Sequence, residues 1–190
     1  LSMLTITKDL ILPTTITGSY PKPSWYNQGL NGRAFKSAMG DTDFREQYID
    51  CVSSILTDQE SAGLDILTDG DSRFDLSVGG KSWFFYPIER INGFEGHRDY
   101  SPGWSGEFGI RPGHILWEVQ EAYRPPIVKN KLTRGSLEYT DIWRTAQRMT
   151  DKPVKFGSIS AQPMSRMMWN EFYDTDEELL IALCDIMNAE

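Results

Sequence analysis

The sequence predicts an α/β fold in which strands and helices alternate along the chain. Four short segments of β-branched or apolar residues, each bounded by turn residues, have the composition of strands. Apolar residues at the helical period lie between and after them, and this alternation implies a parallel sheet. A complete (β/α)8 barrel usually takes about 250 residues. Four βα units in 190 residues therefore indicate either a small open sheet or about half of a (β/α)8 TIM-type barrel.

The first predicted unit pairs a β-branched strand with the clearest helix of the chain. The strand is expected at residues 14–17 and is closed by the turn residues Gly18–Pro21. The helix begins at Asp41 or Thr42, since either side chain can cap it. Gly63 lies where a left-handed residue would end the helix.

The second strand, residues 64–69, is followed by a long interruption of the pattern. Residues 72–123 are rich in glycine and aromatic residues and are far longer than an ordinary strand-to-helix loop. We expect an aromatic-rich insertion with its own structure, in which residues 82–86 and 109–117 pair as strands. The insertion lies within one domain that spans residues 1–190.

The regular pattern resumes after the insertion with two further units. The third strand is predicted at residues 126–128 and is followed by a helix over 136–149. The fourth strand, 154–158, leads through a methionine-rich loop to a last helix. That helix opens at Thr175 with the spacing of a capping box, in which the threonine and Glu178 satisfy two backbone amides.

Composition and charge exclude several classes of function. With 39% hydrophobic residues the chain is globular, and its net charge of −8 comes without any run of basic residues. Binding to nucleic acid or to an anionic membrane surface is therefore disfavoured. No stretch approaches eighteen apolar residues, and residues 1–12 lack the layout of a signal peptide. Two cysteines, Cys51 and Cys184, cannot make a disulfide framework, which favours a reducing cytoplasm.

Candidate binding residues follow the predicted strands, because parallel α/β folds bind ligands at the carboxyl ends of their strands. The first such loop offers Gly18, whose backbone can approach a ligand closely, and the hydroxyl of Ser19. The second offers the carboxylates of Asp69 and Asp71 together with Arg73. A carboxylate at a strand end can hold an amino group or act as a base, but Asp-Gly-Asp is also an ordinary turn sequence.

Other kinds of site have weaker support in the sequence. His97 and His114 are seventeen residues apart and have no cysteine at zinc spacing, so no metal site is expected within this chain. The sequence contains no P-loop, dinucleotide-binding glycine fingerprint or nucleophile elbow. Trp169, in the loop after the fourth strand, either stacks on a planar ligand or fills the barrel mouth by packing.

Four segments in order resemble one known family. Residues 14–21, 59–71, 124–128 and 151–155 are similar to segments of the catalytic barrel of the cobalamin-independent methionine synthase family, at roughly the family's spacing. In the first of them, Thr-Thr-Ile-Thr-Gly-Ser-Tyr-Pro stands where the family has Thr-Thr-x-x-Gly-Ser-Phe-Pro. Four ordered motifs spread over most of the chain make a specific signal.

The resemblance implies a (β/α)8 barrel that transfers a methyl group to a thiol, such as homocysteine, held as a zinc thiolate. The methyl donor is then methyltetrahydrofolate or a corrinoid. By the same resemblance, Thr17, Gly18 and Ser19 hold homocysteine, and Asp71 takes the place of a glutamate that binds the amino acid. Trp169 takes the place of a tryptophan that packs on the folate ring.

The sequence departs from the family pattern at several positions. Asp71 is one methylene shorter than the family's glutamate, Glu121–Ala122 replaces an Arg-Cys pair, and Ala161–Met164 replaces Gly-Pro-Val-Thr. The family's zinc ligands belong to the second half of its barrel, which this sequence does not resemble. We therefore expect the zinc ligands and the catalytic residues outside this chain, which corresponds to the N-terminal half of the barrel.

Two functions remain open from the sequence. In the first, the chain is part of a methyltransferase that is active only with a second polypeptide supplying the other half of the barrel and the zinc, because a half-barrel alone exposes strand edges. In the second, the chain is a non-catalytic binding module for a small thiol or amino acid, and it pairs with itself as a homodimer. A truncated product of a longer gene is a third reading, and within the enzyme reading the acceptor need not be homocysteine.

Overall fold

The structure is a computed structural model, and it describes residues 7–74, 82–98 and 124–190. The described helices α1–α6 are Phe35–Ala38, Thr42–Ser61, Ser82–Ile88, Tyr139–Gln147, Ala161–Ser165 and Asp176–Ala189. The described strands β1–β5 are Leu67–Thr68, Asn92–His97, Pro126–Thr133, Val154–Lys155 and Trp169–Asn170. Contacts divide the chain into two compact units, the first formed by residues 1–86, 136–158 and 190, and the second by 87–135 and 159–189.

Helix α2 is the main helix of the first unit and begins and ends as the sequence predicts. The carboxylate of Asp41 accepts hydrogen bonds from the backbone amides of Asp43 and Phe44, at 3.1 and 3.5 Å. Gly63 has φ of +79° and donates its amide to the carbonyl of Glu60, which ends the helix. The helix packs on β1 and α4 with a buried apolar face: Phe44, Tyr48, Cys51, Val52, Ile55 and Leu56.

The first unit contains a short parallel sheet. Strand β1 pairs with β4 in the register Leu67–Val154 and Thr68–Lys155. These strands are shorter versions of the predicted strands 64–69 and 154–158, whose existence and parallel direction are confirmed.

The strand predicted at residues 14–17 is wrong. The Thr14 amide donates to the carboxylate of Asp65 at 2.7 Å instead of joining a strand ladder. Backbone hydrogen bonds to residues 65–70 lie at the two ends of the segment, where Asp65 and Ile66 donate to the Thr14 carbonyl and Tyr20 donates to the Gly70 carbonyl. The segment therefore runs beside β1, held at its ends, without being a strand.

The second unit contains a mixed sheet in the order β2–β3–β5. Strand β3 pairs antiparallel with β2 and parallel with β5. The strand predicted at 126–128 therefore exists. The prediction that it shares one sheet with 64–69 and 154–158 is wrong, because β1 and β4 form a sheet of their own while β3 pairs with β2 and β5. Its antiparallel neighbour β2 has the sequence Asn-Gly-Phe-Glu-Gly-His. Glycine is depleted in strands, so this composition does not predict one.

Within the insertion, residues 82–86 belong to helix α3 and not to a strand, so that prediction is also wrong. A short aromatic run fits a buried helix and a buried strand equally well. The strand predicted at 109–117 lies outside the described residues.

The two later helices begin close to the predicted positions. The helix predicted over 136–149 is α4, shorter by a few residues at each end. At the start of α6, the Thr175 hydroxyl accepts the Glu178 amide at 3.2 Å, as the capping box requires. The Glu178 carboxylate reaches the amide of Asp174 and not that of Thr175. None of the helices in the described ranges has the length and apolar character needed to cross a membrane.

Candidate functional site

The turn after β1 is a strained backbone segment at the carboxyl end of the parallel pair. Gly70 and Asp71 both have positive φ, +65° and +55°. A side chain at Gly70 would lie 2.8 Å from the Cβ of Tyr20, so only glycine fits there. Asp71 is not glycine and adopts the left-handed region at a cost, while its amide is held by the Asp69 carboxylate at 3.0 Å.

Arg73 is a buried cation that holds this turn in place. Its side chain is only 1% exposed, and Nη1 lies 3.1 Å from Asp69 and 3.2 Å from Asp71. Nη2 donates to the Gly157 carbonyl at 2.6 Å, which joins the turn to the segment after β4. The guanidinium also lies over three aromatic rings, 4.3, 4.2 and 5.6 Å from their centroids: Phe74, Phe156 and Tyr86.

Asp71 is the carboxylate of this group that faces outward. Its side chain is 16% exposed, against 3% for Asp69. One oxygen is bound by Arg73, and the other accepts a hydrogen bond from the Ser19 hydroxyl at 3.5 Å. Burial raises the pKa of the Asp71 carboxyl, and the Asp69 charge adds to this against the opposing effect of Arg73. Two carboxylates share one guanidinium, so the group carries one excess negative charge.

The loop before this turn brings a second set of polar groups to the same place. The hydroxyl of Thr17 accepts a hydrogen bond from Lys155 Nζ at 3.3 Å. Gly18 has φ of +91°, and nothing lies within 4 Å of the position that a Cβ would take, so its backbone is open. The structure thus joins Ser19 to Asp71 as the sequence predicts, and it adds Lys155.

The sequence predicts neither Lys155 as a residue of the site nor the burial of Arg73. The available signal for Lys155 was its position near the carboxyl end of a predicted strand, where ligands bind in parallel sheets. Nothing in the sequence alone indicated that Arg73 points inward between two carboxylates.

Trp169 belongs to the second unit. It is part of β5, pairs with Ile127 of β3, and is 43% exposed. The guanidinium of Arg98 lies 3.4 Å from the centre of the indole ring, so one ring face is covered by a cation. An indole that is partly exposed beside a positive charge suits a flat, anionic partner better than a neutral one.

The described residues do not fit a zinc ion. Over residues 7–74, 82–98 and 124–190, no group of three or more histidine, cysteine and acidic side chains is arranged to hold a metal. Asp69 and Asp71 form an acidic pair in the site, but each is bound to Arg73, and two carboxylates alone do not supply the three or four protein ligands of a zinc site. Of the two cysteines, Cys51 is buried and Cys184 is exposed, and neither forms a disulfide.

The raised pKa of Asp71 leads to a prediction about stability and pH. A pKa above the unfolded value means that folding favours the protonated carboxyl, so this stabilisation is present below the ordinary pKa of 3.8 and is lost as the pH rises through the folded pKa. Asn resembles the protonated side chain and tolerates a left-handed φ. We expect Asp71→Asn to keep or increase the free energy of unfolding relative to the native protein at about pH 7, with less advantage at about pH 4. Urea denaturation at the two pH values measures this difference. A variant whose free energy of unfolding falls relative to that of the native protein as the pH rises would contradict the prediction.

Comparison with known proteins places this site in context. No family model matches the sequence. The chain is 31% identical to a methionine synthase of Sulfurisphaera tokodaii, over 95% of this chain and 47% of that protein. A methionine synthase of Sulfolobus acidocaldarius is 29% identical over the same shares.

A solved structure shares the fold. It is a B12-independent methionine synthase from Shewanella sp. W3-18-1 in complex with selenomethionine, with a TM-score of 0.65 and 22% identity. The match covers 94% of this chain and 47% of that one. The chain therefore spans about half the length of the relatives that it matches.

Proposed function

From the relation of this chain to the methionine synthases over nearly its whole length, we propose that it forms part of a methyltransferase. Its resemblance to the cobalamin-independent family is confirmed. The proposed reaction moves a methyl group to a thiol such as homocysteine, in the cytoplasm. We further propose that the chain supplies about half of a (β/α)8 barrel. The remaining half, with the metal and the catalytic groups, would come from residues outside this chain.

The observation that carries the proposal is the unbalanced charge at Asp71. One guanidinium neutralises only one of the two carboxylates, and burial disfavours the charge that remains. An ammonium group of a ligand would lie against the outer oxygen of Asp71 and restore the balance. The solved relative was obtained in complex with selenomethionine, an amino acid with such a group, which supports an amino-acid ligand here.

The other residues of the first unit have roles that follow from their contacts. The Ser19 hydroxyl donates to the outer oxygen of Asp71 and so holds the carboxylate toward the loop. The open backbone at Gly18 lets a ligand lie close to the chain without meeting a side chain. Together they would bind and orient the amino-acid end of the substrate, while the chemistry at its sulfur is left to other residues.

The substrate-binding role predicts losses of affinity in two variants. Asp71→Ala should weaken the binding of L-homocysteine about 10- to 100-fold, because a charge-assisted hydrogen bond is lost. Ser19→Ala should weaken it by about 2- to 10-fold, since one neutral hydrogen bond is lost. Isothermal titration calorimetry on the assembled protein measures both. Asp50→Ala, which removes an exposed carboxylate of α2, is the matched control and should bind normally. Unchanged affinity in both site variants would remove these loops from the site.

Trp169 carries the proposed donor site. If the indole stacks on the flat ring of methyltetrahydrofolate, Trp169→Ala should weaken the binding of this donor by about 1–3 kcal/mol. Fluorescence titration of the donor measures the change. Trp25→Ala removes an indole of similar exposure, 45% against 43%, and should leave donor binding unchanged. Normal donor binding by Trp169→Ala would show that this residue serves packing only.

The alternative is a binding module that pairs with itself and carries out no chemistry. It shares the amino-acid site of the first unit, so ligand affinity alone does not separate the two functions. Native mass spectrometry with zinc analysis does, on protein purified from its own source. The enzyme requires the rest of the barrel and about one zinc per site, whereas the module requires a metal-free homodimer.

A further inference from the structure

We propose that Lys155 binds the α-carboxylate of the amino-acid substrate, so that Lys155 and Asp71 together recognise the zwitterion. This inference rests on the proposed function, which places the α-ammonium group on Asp71. It adds a specificity-determining residue of opposite charge, on the neighbouring strand.

The position of Lys155 supports this role. Lys155 is the last residue of β4 and lies directly beside Thr68 of β1 in the parallel register. Neighbouring strands are about 4.8 Å apart, and Asp71 follows Thr68 by three residues. A side chain at the end of each strand can therefore reach the same small molecule.

Two further contacts bring the segments together. Gly157, two residues after Lys155, accepts a hydrogen bond from Arg73, and its missing Cβ would lie 3.8 Å from an Asp71 oxygen. On the other side, the Thr17–Ser19 loop touches both charged groups, because Thr17 accepts from Lys155 and Ser19 donates to Asp71. The Thr17–Ser19 loop thus contacts the Lys155 ammonium group at one end and the Asp71 carboxylate at the other.

The ammonium group of Lys155 makes no ion pair with the residues that the structure describes. Within the described part of the chain, no carboxylate lies within ion-pair distance of its ammonium group, and its hydrogen-bond partner is the neutral hydroxyl of Thr17. Other lysines of the first unit have structural partners: Lys36 pairs with Asp141 at 2.8 Å, and Lys152 donates to the Leu64 carbonyl at 2.6 Å. Lys155 is half-buried as a residue, and its ammonium group, without a counter-charge among the described residues and beside an open glycine backbone, is suited to bind an anionic group of a ligand.

This arrangement gives a specific preference. A zwitterionic α-amino acid satisfies both charges, whereas its carboxamide leaves Lys155 without a partner and its deaminated acid leaves Asp71 without one. The site should therefore prefer L-methionine to L-methioninamide and to 4-(methylthio)butanoate. Because these ligands carry no thiol, the comparison does not depend on activation of a thiol.

The experiment is calorimetric titration of the assembled protein with L-methionine and L-methioninamide. The native protein should bind L-methionine about 10- to 100-fold more tightly than the amide. Lys155→Met should lose this preference by weakening L-methionine while leaving the amide unchanged, and Lys155→Arg should restore part of it. Lys36→Met removes the same charge from an exposed position and serves as the control.

The outcomes distinguish failure of the Lys155 assignment from failure of the proposed function. If Lys155→Met weakens both ligands equally, or neither, the assignment of Lys155 is overturned, although the site at Asp71 stands as long as Asp71→Ala still loses affinity. If the native protein does not bind L-methionine at all, the proposed function fails and the assignment of Lys155 fails with it. If Lys155→Met loses the preference and Lys36→Met keeps it, the result supports both the assignment of Lys155 and the proposed function.

Discussion

Replacing Arg73 by methionine is expected to lower the free energy of unfolding by about 3–5 kcal/mol, the usual cost of removing one partner from a buried ion pair. The carboxylate of Asp69, 3% exposed, would lose its only cation within the described residues. The Gly157 carbonyl would also lose its 2.6 Å hydrogen bond. Methionine is an unbranched apolar side chain of similar length, so the loss comes mainly from the guanidinium, with its ion pairs, its hydrogen bond and its contacts to the aromatic rings.

Arg144→Met is the matched control for this prediction. The Arg144 side chain is 58% exposed and lies 4.0 Å from Asp141, a surface pair of the kind that contributes about 0–1 kcal/mol. Chemical denaturation of the two variants beside the native protein measures the difference. If Arg73→Met were as stable as Arg144→Met, the carboxylates of the turn would not depend on Arg73.

Replacing Gly70 by alanine is the second change with a large expected effect. The positive φ of +65° costs an alanine about 1–2 kcal/mol. The new methyl group would also lie 2.8 Å from Tyr20 and 2.9 Å from Ile55, and overpacking of this kind costs about 1–3 kcal/mol. The expected loss in the free energy of unfolding is therefore about 2–5 kcal/mol.

Gly63→Ala separates the two contributions. Gly63 also has a positive φ, +79°, but nothing lies within 4 Å of its Cβ position. Its substitution should cost only the conformational part, about 1–2 kcal/mol. Equal losses in the two variants, measured by denaturation, would contradict the close approach of the Tyr20 and Asp71 segments at Gly70.

Much of the helical structure is predictable because its signals are local. Asp41 caps α2, Gly63 ends it and Thr175 caps α6, and each residue acts through its own side chain or φ within one turn. The strands are harder, since pairing depends on distant partners. The segment at 14–17 has an ideal strand composition but gives its first amide to the Asp65 carboxylate, which the sequence does not reveal.

The candidate site is also predictable only in part, because some of its residues follow from local sequence and others depend on strand pairing. Ser19 and Asp71 follow from turn sequences and from the family resemblance, and the structure joins their side chains at 3.5 Å. Lys155 lies in the site only because β4 pairs directly with β1, and the sequence predicts a parallel sheet without showing which strands pair. The pairing of two short strands thus decides which charged residues are neighbours.

Asp71 combines three properties that do not favour a stable fold. It adopts a left-handed φ, its pKa is raised by burial, and it shares its guanidinium with a second carboxylate. A ligand with an ammonium group would relieve the electrostatic part of this cost. This is the physical reason for proposing an amino-acid ligand at Asp71, and it makes ligand binding and the ionised state of this carboxyl mutually dependent.

A crystal structure of the assembled protein with L-selenomethionine tests this placement most directly, because the anomalous signal of selenium locates the ligand. The ammonium nitrogen of the ligand is expected within about 3 Å of an Asp71 carboxylate oxygen, with its backbone along the Thr17–Ser19 loop. A ligand bound elsewhere, with Asp71 touching only Arg73 and Ser19, would contradict the assignment of this loop as the amino-acid site.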